Sequence, residues 1–578
     1  MKKRYYLALA LVALAVAFAV WSRPPRVDVD LIISGGPILT MDPDQPEVAA
    51  LAVSDGRIVA AGSIEDARRA LPDAARFDLE GRALLPGLIE PHTHPIAAAL
   101  LGAVTDVSAF THGSRAEVIA TLEEAATGGG LTPWIVAYGW DPVALPDLDA
   151  PTLEELDRIS PDNPMIVLTQ MMHEAYANSA ALRAAGIPFE GEPERRHGVL
   201  RGEDGRPTGT LREIEAINEV MAVLPPPPDA AVELLVRRQY ATYAQAGYTQ
   251  IGITGAVGRH PDPVGLLQRV ADDTDFLRTT LYLLPEQMAQ NPLDPSGALR
   301  IVGVKFWMDG SPFAGGAATH DPYADSDLTH DRLGLPHSHM AGLSITPDGF
   351  LDEIRPLHSA GYQIAVHAQG ERAVEAALQA FEAVQRETPR PGLHHRLEHN
   401  ALITPDQITR ATAAGVSLGF FVDHVRFYGD ALPSLFGPDR TARYMPVRWA
   451  VEAGAVTALH GDHPASPVDP LRTLRTAVER RSVGGAVVGA DQALSVERAL
   501  QAMTLDAAAQ LGLAQEVGSL EVGKRADFTL LNRVPASGDL EGLQVEGTWR
   551  EGQPVDTRPI RWLSPGLVVR TLMAYIGG

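Results

Sequence analysis

Short apolar runs recur along the chain, separated by helix-like stretches. Eight of them read as strands: residues 83–92 (ALLPGLIEPH), 248–254 (YTQIGIT), 279–285 (TTLYLLP), 301–308 (IVGVKFWM), 362–368 (YQIAVHA), 394–400 (HHRLEHN), 415–422 (GVSLGFFV) and 455–462 (AVTALHGD). Strands alternating with helices predict parallel pairing, and eight is the count of a (β/α)8 TIM-type barrel, so the expected fold class is α/β. About 155 residues separate the first two runs, far more than a crossover needs. The excess predicts a large insertion after the first strand, residues 96–235, ending near the stiff prolines 225–228.

A different pattern occupies the two ends. Residues 30–42 and 50–62 alternate apolar with small or polar positions, and Asp55-Gly56 marks a tight turn. The same character returns at 518–532 and 545–555. Residues 27–82 and 514–562 therefore predict one small β-sandwich domain built from both chain ends. The barrel is expected over 83–95 and 236–513, with a tail at 563–578.

The first 26 residues change the picture of where the protein works. Lys2, Lys3 and Arg4 precede an unbroken apolar stretch from Tyr5 to Trp21, the pattern of a signal peptide or membrane anchor. Ala17-Phe18-Ala19 offers a small-x-small cleavage site; uncleaved, the basic end stays cytoplasmic. Either way the expected location is exported, periplasmic or anchored to the inner membrane facing the periplasm. The net charge of −24 disfavours nucleic acid as a partner. With no cysteine, disulfides, thiolate catalysis and Cys-type zinc sites are excluded.

Candidate chemistry gathers at strand ends. His92 and His94 lie on one face of the first strand, and the C-terminal end of a barrel strand faces the mouth where barrel sites are built. Neutral imidazole is the commonest metal ligand. Lys305, His367, His399 and Asp462 fall at the ends of the fourth, fifth, sixth and eighth runs. By strand alternation Arg396 and Glu398 are expected to face away from His399, as scaffolding.

With these residues in place, the sequence resembles the amidohydrolase superfamily of metal-dependent hydrolases, and within it the amidohydrolase-3 branch that includes N-substituted formamide deformylases. The resemblance rests on PGLIEPHTHP (86–95), WIVAYGWDP (134–142), GRPTGTLRE (205–213), VGVKFWMDGS (302–311), QIAVHAQGERA (363–373), HRLEHN (395–400), SVERALQAMTLDAA (495–508) and VGSLEVGKRADFTLL (517–531). It implies one or two divalent ions per chain, most often Zn2+. His92, His94, His367, His399 and Asp462 would be ligands, and Lys305 would carry a CO2-derived carbamate. A lysine ammonium has no acceptor and cannot bind a cation; carboxylated, it offers two anionic oxygens. Bound zinc lowers the pKa of water to about 7, so the implied reaction is attack of metal-bound hydroxide on an amide-like C–N bond of N-acyl or N-formyl type, with Asp462 handling the proton. His173 matches a family histidine that either holds the substrate carbonyl or caps Asn178-Ser179. Trp140 and Asp141 are expected as pocket wall, with His463 beside the substrate.

Three stretches depart from the family pattern. Glu90-Pro91 stands where relatives have Asp and a small residue, Gln369 and Glu371 stand for Ile and Asp, and HGDHP (460–464) replaces Ser-Asp-Ala-Pro, so His460 and His463 bracket the expected base. The alternatives are a deaminase or esterase on the same metal site, or a catalytically inactive exported metal-binding scaffold. The GVSLG stretch at 415–419 fits a serine-hydrolase elbow by spelling, but Ser417 lies inside a strand rather than on the required strand-turn-helix.

Overall fold

A computed structural model describes residues 30–128, 132–172, 174–190, 198–564, 566–568 and 570–571. The leader expected at 1–26 lies outside the described residues. Among those described, no helix is long and apolar enough to cross a membrane.

Eight parallel strands form the central sheet: Leu88–Thr93, Tyr248–Thr254, Arg278–Leu283, Leu299–Trp307, Gln363–Ala368, Arg396–His399, Ser417–Phe420 and Thr457–Leu459. Each pairs in parallel with its successor in sequence, and the eighth lies alongside the first, nearly closing a TIM-type barrel. Parallel strands covered on both faces need apolar residues on both, which is why these segments read as runs. Ile251, Ile253, Leu281, Val304, Ile364, Val366, Leu397 and Leu418 are all fully buried in the main core. The outer helices present one apolar stripe each. In Glu371–Glu387 it is Ala373, Val374, Ala377, Leu378, Phe381 and Val384, the spacing of one helical face.

The first expected strand is two strands. Ala83–Pro86 pairs with Phe528–Leu531 in the outer sheet, whereas Leu88–Thr93 opens the barrel. Gly87 joins them where the backbone presses on the second barrel strand; a Cβ there would lie 2.1 Å from Thr249 Oγ1.

The two chain ends meet in one sheet. Leu31–Leu39, Glu47–Ser54, Arg57–Gly62, Ala75–Asp78 and Ala83–Pro86 join Phe528–Leu531, Val545–Arg550 and Gln553–Pro554 in one branched eight-stranded sheet. Both ends feed one core, with Ile33, Leu51 and Ile58 against Leu520, Phe528 and Leu530. Asp55 and Gly56 both take positive φ (50° and 70°), the conformation a two-residue hairpin turn demands.

The insertion carries its own mixed six-stranded sheet, including Ile135–Trp140, Met165–Thr169 and Glu174–Ala177, with two separate apolar cores. The helix Asp229–Gln245 then packs on the second barrel strand, so the expected boundary at 235 falls inside this helix and the prolines 225–228 precede it. At the other end, Leu567 is buried and Arg570 pairs with Glu233 at 2.6 Å, so the described part of the tail packs on the barrel helices.

Candidate metal centre

The strand ends bring together the residues singled out in sequence. His92 is the penultimate residue of the first barrel strand and His94 lies one residue beyond that strand, so both rings face the barrel mouth. His92 Nε2 and His94 Nε2 lie 3.5 and 3.3 Å from the same oxygen, Asp462 Oδ1, just past the eighth strand. His399 Nδ1 is 4.0 Å from the other carboxylate oxygen. His92, His399 and Asp462 offer ligand atoms all within 4.8 Å of one another. The His367 ring packs 4.3 Å from that of His399.

Lys305 is fully buried on the fourth strand, and its Nζ has no hydrogen-bond partner among the described residues. Burial pushes its ammonium down to about 8, against the pull of Glu398 and Asp462. Burial also pushes His92 and His399 well below the ordinary imidazole range, His92 further through the charge of Lys305 and His399 through His367. The rings are therefore neutral, with lone pairs free to donate to a metal. For Asp462 burial favours the neutral acid, but the hydrogen bond from His94 and nearby cationic groups prevail, and its carboxyl is held below its ordinary value.

Two further features prepare this cluster for a cation. His94 Nδ1, His399 Nδ1 and both ring nitrogens of the buried His460 lack partners among the described residues. His460 stacks on His92 with ring centroids 4.6 Å apart. Buried polar atoms are ordinarily satisfied, and an ion is what a crowd of acceptors would satisfy. The backbone is also unusual here: His399, Asn400 and Asp462 all have positive φ (73°, 52° and 50°), the kind of strain that collects at functional sites.

Glu398, expected as scaffolding facing away from His399, instead touches a candidate ligand. Its Oε2 accepts a hydrogen bond from His92 Nδ1 at 2.7 Å, and its Oε1 accepts one from Arg396 Nε at 2.6 Å; all three residues are buried. A carboxylate behind an imidazole fixes the tautomer and leaves Nε2 as the ligand atom. Strand alternation failed because His399 turns into the left-handed region, which brings Glu398 and His399 to the same interior. Asp309 was likewise present in a motif without a role. It accepts backbone N–H bonds from Ala318, Gln369 and Gly370 and so holds the loops after the fourth and fifth strands together. Burial outweighs these bonds and pushes it up to about 7.

The departures from the family pattern meet each other. Glu90 Oε2 accepts from Gly461 N at 2.9 Å and Tyr248 OH at 3.2 Å, and lies 3.4 Å from His463 Nε2. His463 Nδ1 donates to the Ser466 carbonyl at 2.8 Å. The His463 ring thus faces Glu90, bracing the loop that carries Asp462, and lines a cavity of about 250 Å3 with Tyr138 and Gln170. Trp140 and Asp141 line a different cavity of about 460 Å3, with Phe313, Arg332 and His339. Asp141 accepts from Tyr428 OH at 2.7 Å. A wall of rings leads from this cavity towards the metal cluster: Phe313 stacks on Tyr428 at 3.7 Å and meets His424 at 4.7 Å, His424 packs on Phe421, and Phe421 lies 5.5 Å from His460. His173 lies outside the described residues.

Residues 76–556 match the amidohydrolase family. The chain belongs to that family. It is 28% identical to the N-substituted formamide deformylase of Arthrobacter pascens over 90% of this chain and 97% of that protein. It is 26% identical to the putative amidohydrolase YtcJ of Bacillus subtilis, covering 90% of this chain and 98% of that one. An uncharacterized metal-dependent hydrolase from Pyrococcus horikoshii shares the fold with a TM-score of 0.70 at 23% identity, over 89% and 99% of the two chains. As an amidohydrolase, the chain is a metal-dependent hydrolase of small molecules, and the barrel mouth supplies a donor set that suits its metal.

Proposed function

We propose that this amidohydrolase cleaves an amide-like C–N bond of N-acyl or N-formyl type, using a divalent metal, zinc, at one or two ions per chain. The observation that carries the reading is the convergence of His92, His399 and Asp462 within a coordination-sized space, with His94 3.3 Å from Asp462 and ring nitrogens that have no partner among the described residues. His367 and a carboxylated Lys305 complete the set of residues that would hold the metal. When bound, the ion supplies Lewis-acid polarisation of the carbonyl and acidifies a water.

The chain supplies the rest. Glu398 holds His92 in the tautomer that presents Nε2. Asp462, kept ionised beside His94, takes the proton of the attacking water and returns it to the leaving nitrogen. Without that return the amine would depart as a poor, anionic leaving group. Glu90 and His463 brace the loop on which Asp462 stands. Trp140, Asp141 and Phe313 line the 460 Å3 cavity, which we assign to the substituent on the substrate. The formamide deformylase relative supports the bond class. The basic-then-apolar N terminus supports action outside the cytoplasm, in the periplasm or at the inner membrane.

The test is a hydrolysis screen of N-formyl and N-acyl amines with zinc-loaded protein, alongside nucleoside and ester substrates. Metal-dependent release of amine from an N-acyl or N-formyl substrate supports the reading. Preference for ring deamination or ester cleavage overturns it.

A further inference from the structure

The loop that follows the fourth barrel strand holds four histidines outside the centre described above: His320, His330, His337 and His339. Two of them meet one carboxylate. His330, on the turn Leu328–Arg332, places Nδ1 2.9 Å from the Leu335 carbonyl. A carbonyl only accepts, so Nδ1 carries the proton. In the neutral ring Nε2 then presents a lone pair, and that lone pair faces Asp325 Oδ1 at 2.9 Å, a second acceptor. His337 Nδ1 lies 3.5 Å from the same oxygen, and the two imidazoles pack with centroids 4.0 Å apart. Ser338 N also points to Asp325 Oδ1, at 3.4 Å.

One oxygen and two ring nitrogens lie within 4.8 Å of one another. Metal–ligand arms of about 2.0–2.1 Å set tetrahedral ligand atoms about 3.3 Å apart, and the observed 2.9 and 3.5 Å bracket that value. Two imidazoles and a carboxylate suit zinc and its first-row neighbours rather than magnesium or calcium. The side chain of His337 is 82% exposed and that of Asp325 58%, so solvent can fill a fourth position.

We propose that Asp325, His330 and His337 form a second cation site that takes one zinc-like divalent ion and staples the loop walling the 460 Å3 cavity. The same loop supplies Arg332, Leu333, Leu335 and His339 to that cavity. The Arg332 guanidinium donates to the carbonyls of Pro142 and Leu145 in the insertion. An ion tying residue 325 to residue 337 therefore fixes the loop against the segment that carries Trp140 and Asp141.

The test uses the full chain, zinc content per chain after equilibration, and tryptic cleavage after Arg332, which is the only lysine or arginine between residues 320 and 345. His337→Gln changes an exposed side chain, and Asp325→Asn keeps an acceptor for Ser338, so both are expected to fold. Wild type is expected to hold one more zinc than either variant. With zinc at a hundred times the dissociation constant, cleavage of wild type through the opened loop should slow about 100-fold, with no zinc effect on cleavage of the variants beyond that of the barrel site. Equal zinc content in all three proteins, or cleavage equally insensitive to zinc, overturns the proposal and leaves a protonated His330 paired with Asp325. Neither readout depends on which bond the barrel site hydrolyses.

Discussion

Glu398→Gln separates orientation of a metal ligand from ligation itself. The substitution keeps the shape of a fully buried side chain and removes the charge that accepts from His92 Nδ1 at 2.7 Å and Arg396 Nε at 2.6 Å. Losing the partner of a ligating histidine typically weakens metal affinity 10–100-fold, which is about 1.4–2.7 kcal/mol. Stability falls as well, because the buried Arg396 charge loses its counter-ion, a change that costs about 3–5 kcal/mol when one partner of a buried pair is removed. Arg396→Met in the same background removes that charge and should restore stability without restoring zinc affinity. The assay is competition for zinc against a chromogenic chelator, run on variants whose circular dichroism matches wild type. Affinity and turnover within twofold of wild type in a folded Glu398→Gln variant would refute the claim that Glu398 sets the His92 tautomer for a metal.

Asp462→Asn should retain the fold while kcat falls by at least about 10^2–10^4, the usual worth of a positioned proton carrier; near-normal turnover removes Asp462 from that role. Carboxylation of Lys305 requires the neutral amine, so bicarbonate-dependent reactivation of stripped enzyme should rise with pH around a midpoint of about 8. A midpoint near the ordinary lysine value of about 10.4 would contradict it. Burial beside His358 pushes His395 down to about 3, below its unfolded value of about 6.5. The unfolded chain then binds the extra proton in between, so stability is full above pH 6.5 and is lost as pH falls towards 3, by ~1.4 kcal/mol per unit. His395→Leu should flatten the pH dependence of Tm across that window, and an unchanged slope argues against the shift. Gly87→Ala drives a Cβ to 2.1 Å from Thr249 Oγ1 and should cost about 1–3 kcal/mol, read as a fall in Tm that an unclashed position would not show.

The barrel was legible because a parallel strand buried on both faces leaves an unbroken apolar run, and each run from 248 onward lies on an observed strand. The split at Gly87 was not, since 83–92 is equally apolar on either side and only the third dimension shows which sheet each half joins. The histidines and Asp462 were legible from their place at strand ends. Glu398 was not, because alternation assumes extended backbone and His399 at φ 73° departs from it. Glu90 and His463 were visible as departures from a family pattern, but their partnership spans 373 positions and only the barrel closes that gap.

A metal held at the barrel mouth is the centre of this chemistry, and anomalous diffraction at the zinc edge from zinc-loaded crystals tests for it most directly. The predicted result is a peak about 2.0–2.2 Å from His92 Nε2, His94 Nε2 and an Asp462 oxygen. Zinc found elsewhere, with this cluster empty in a fully active preparation, would contradict it.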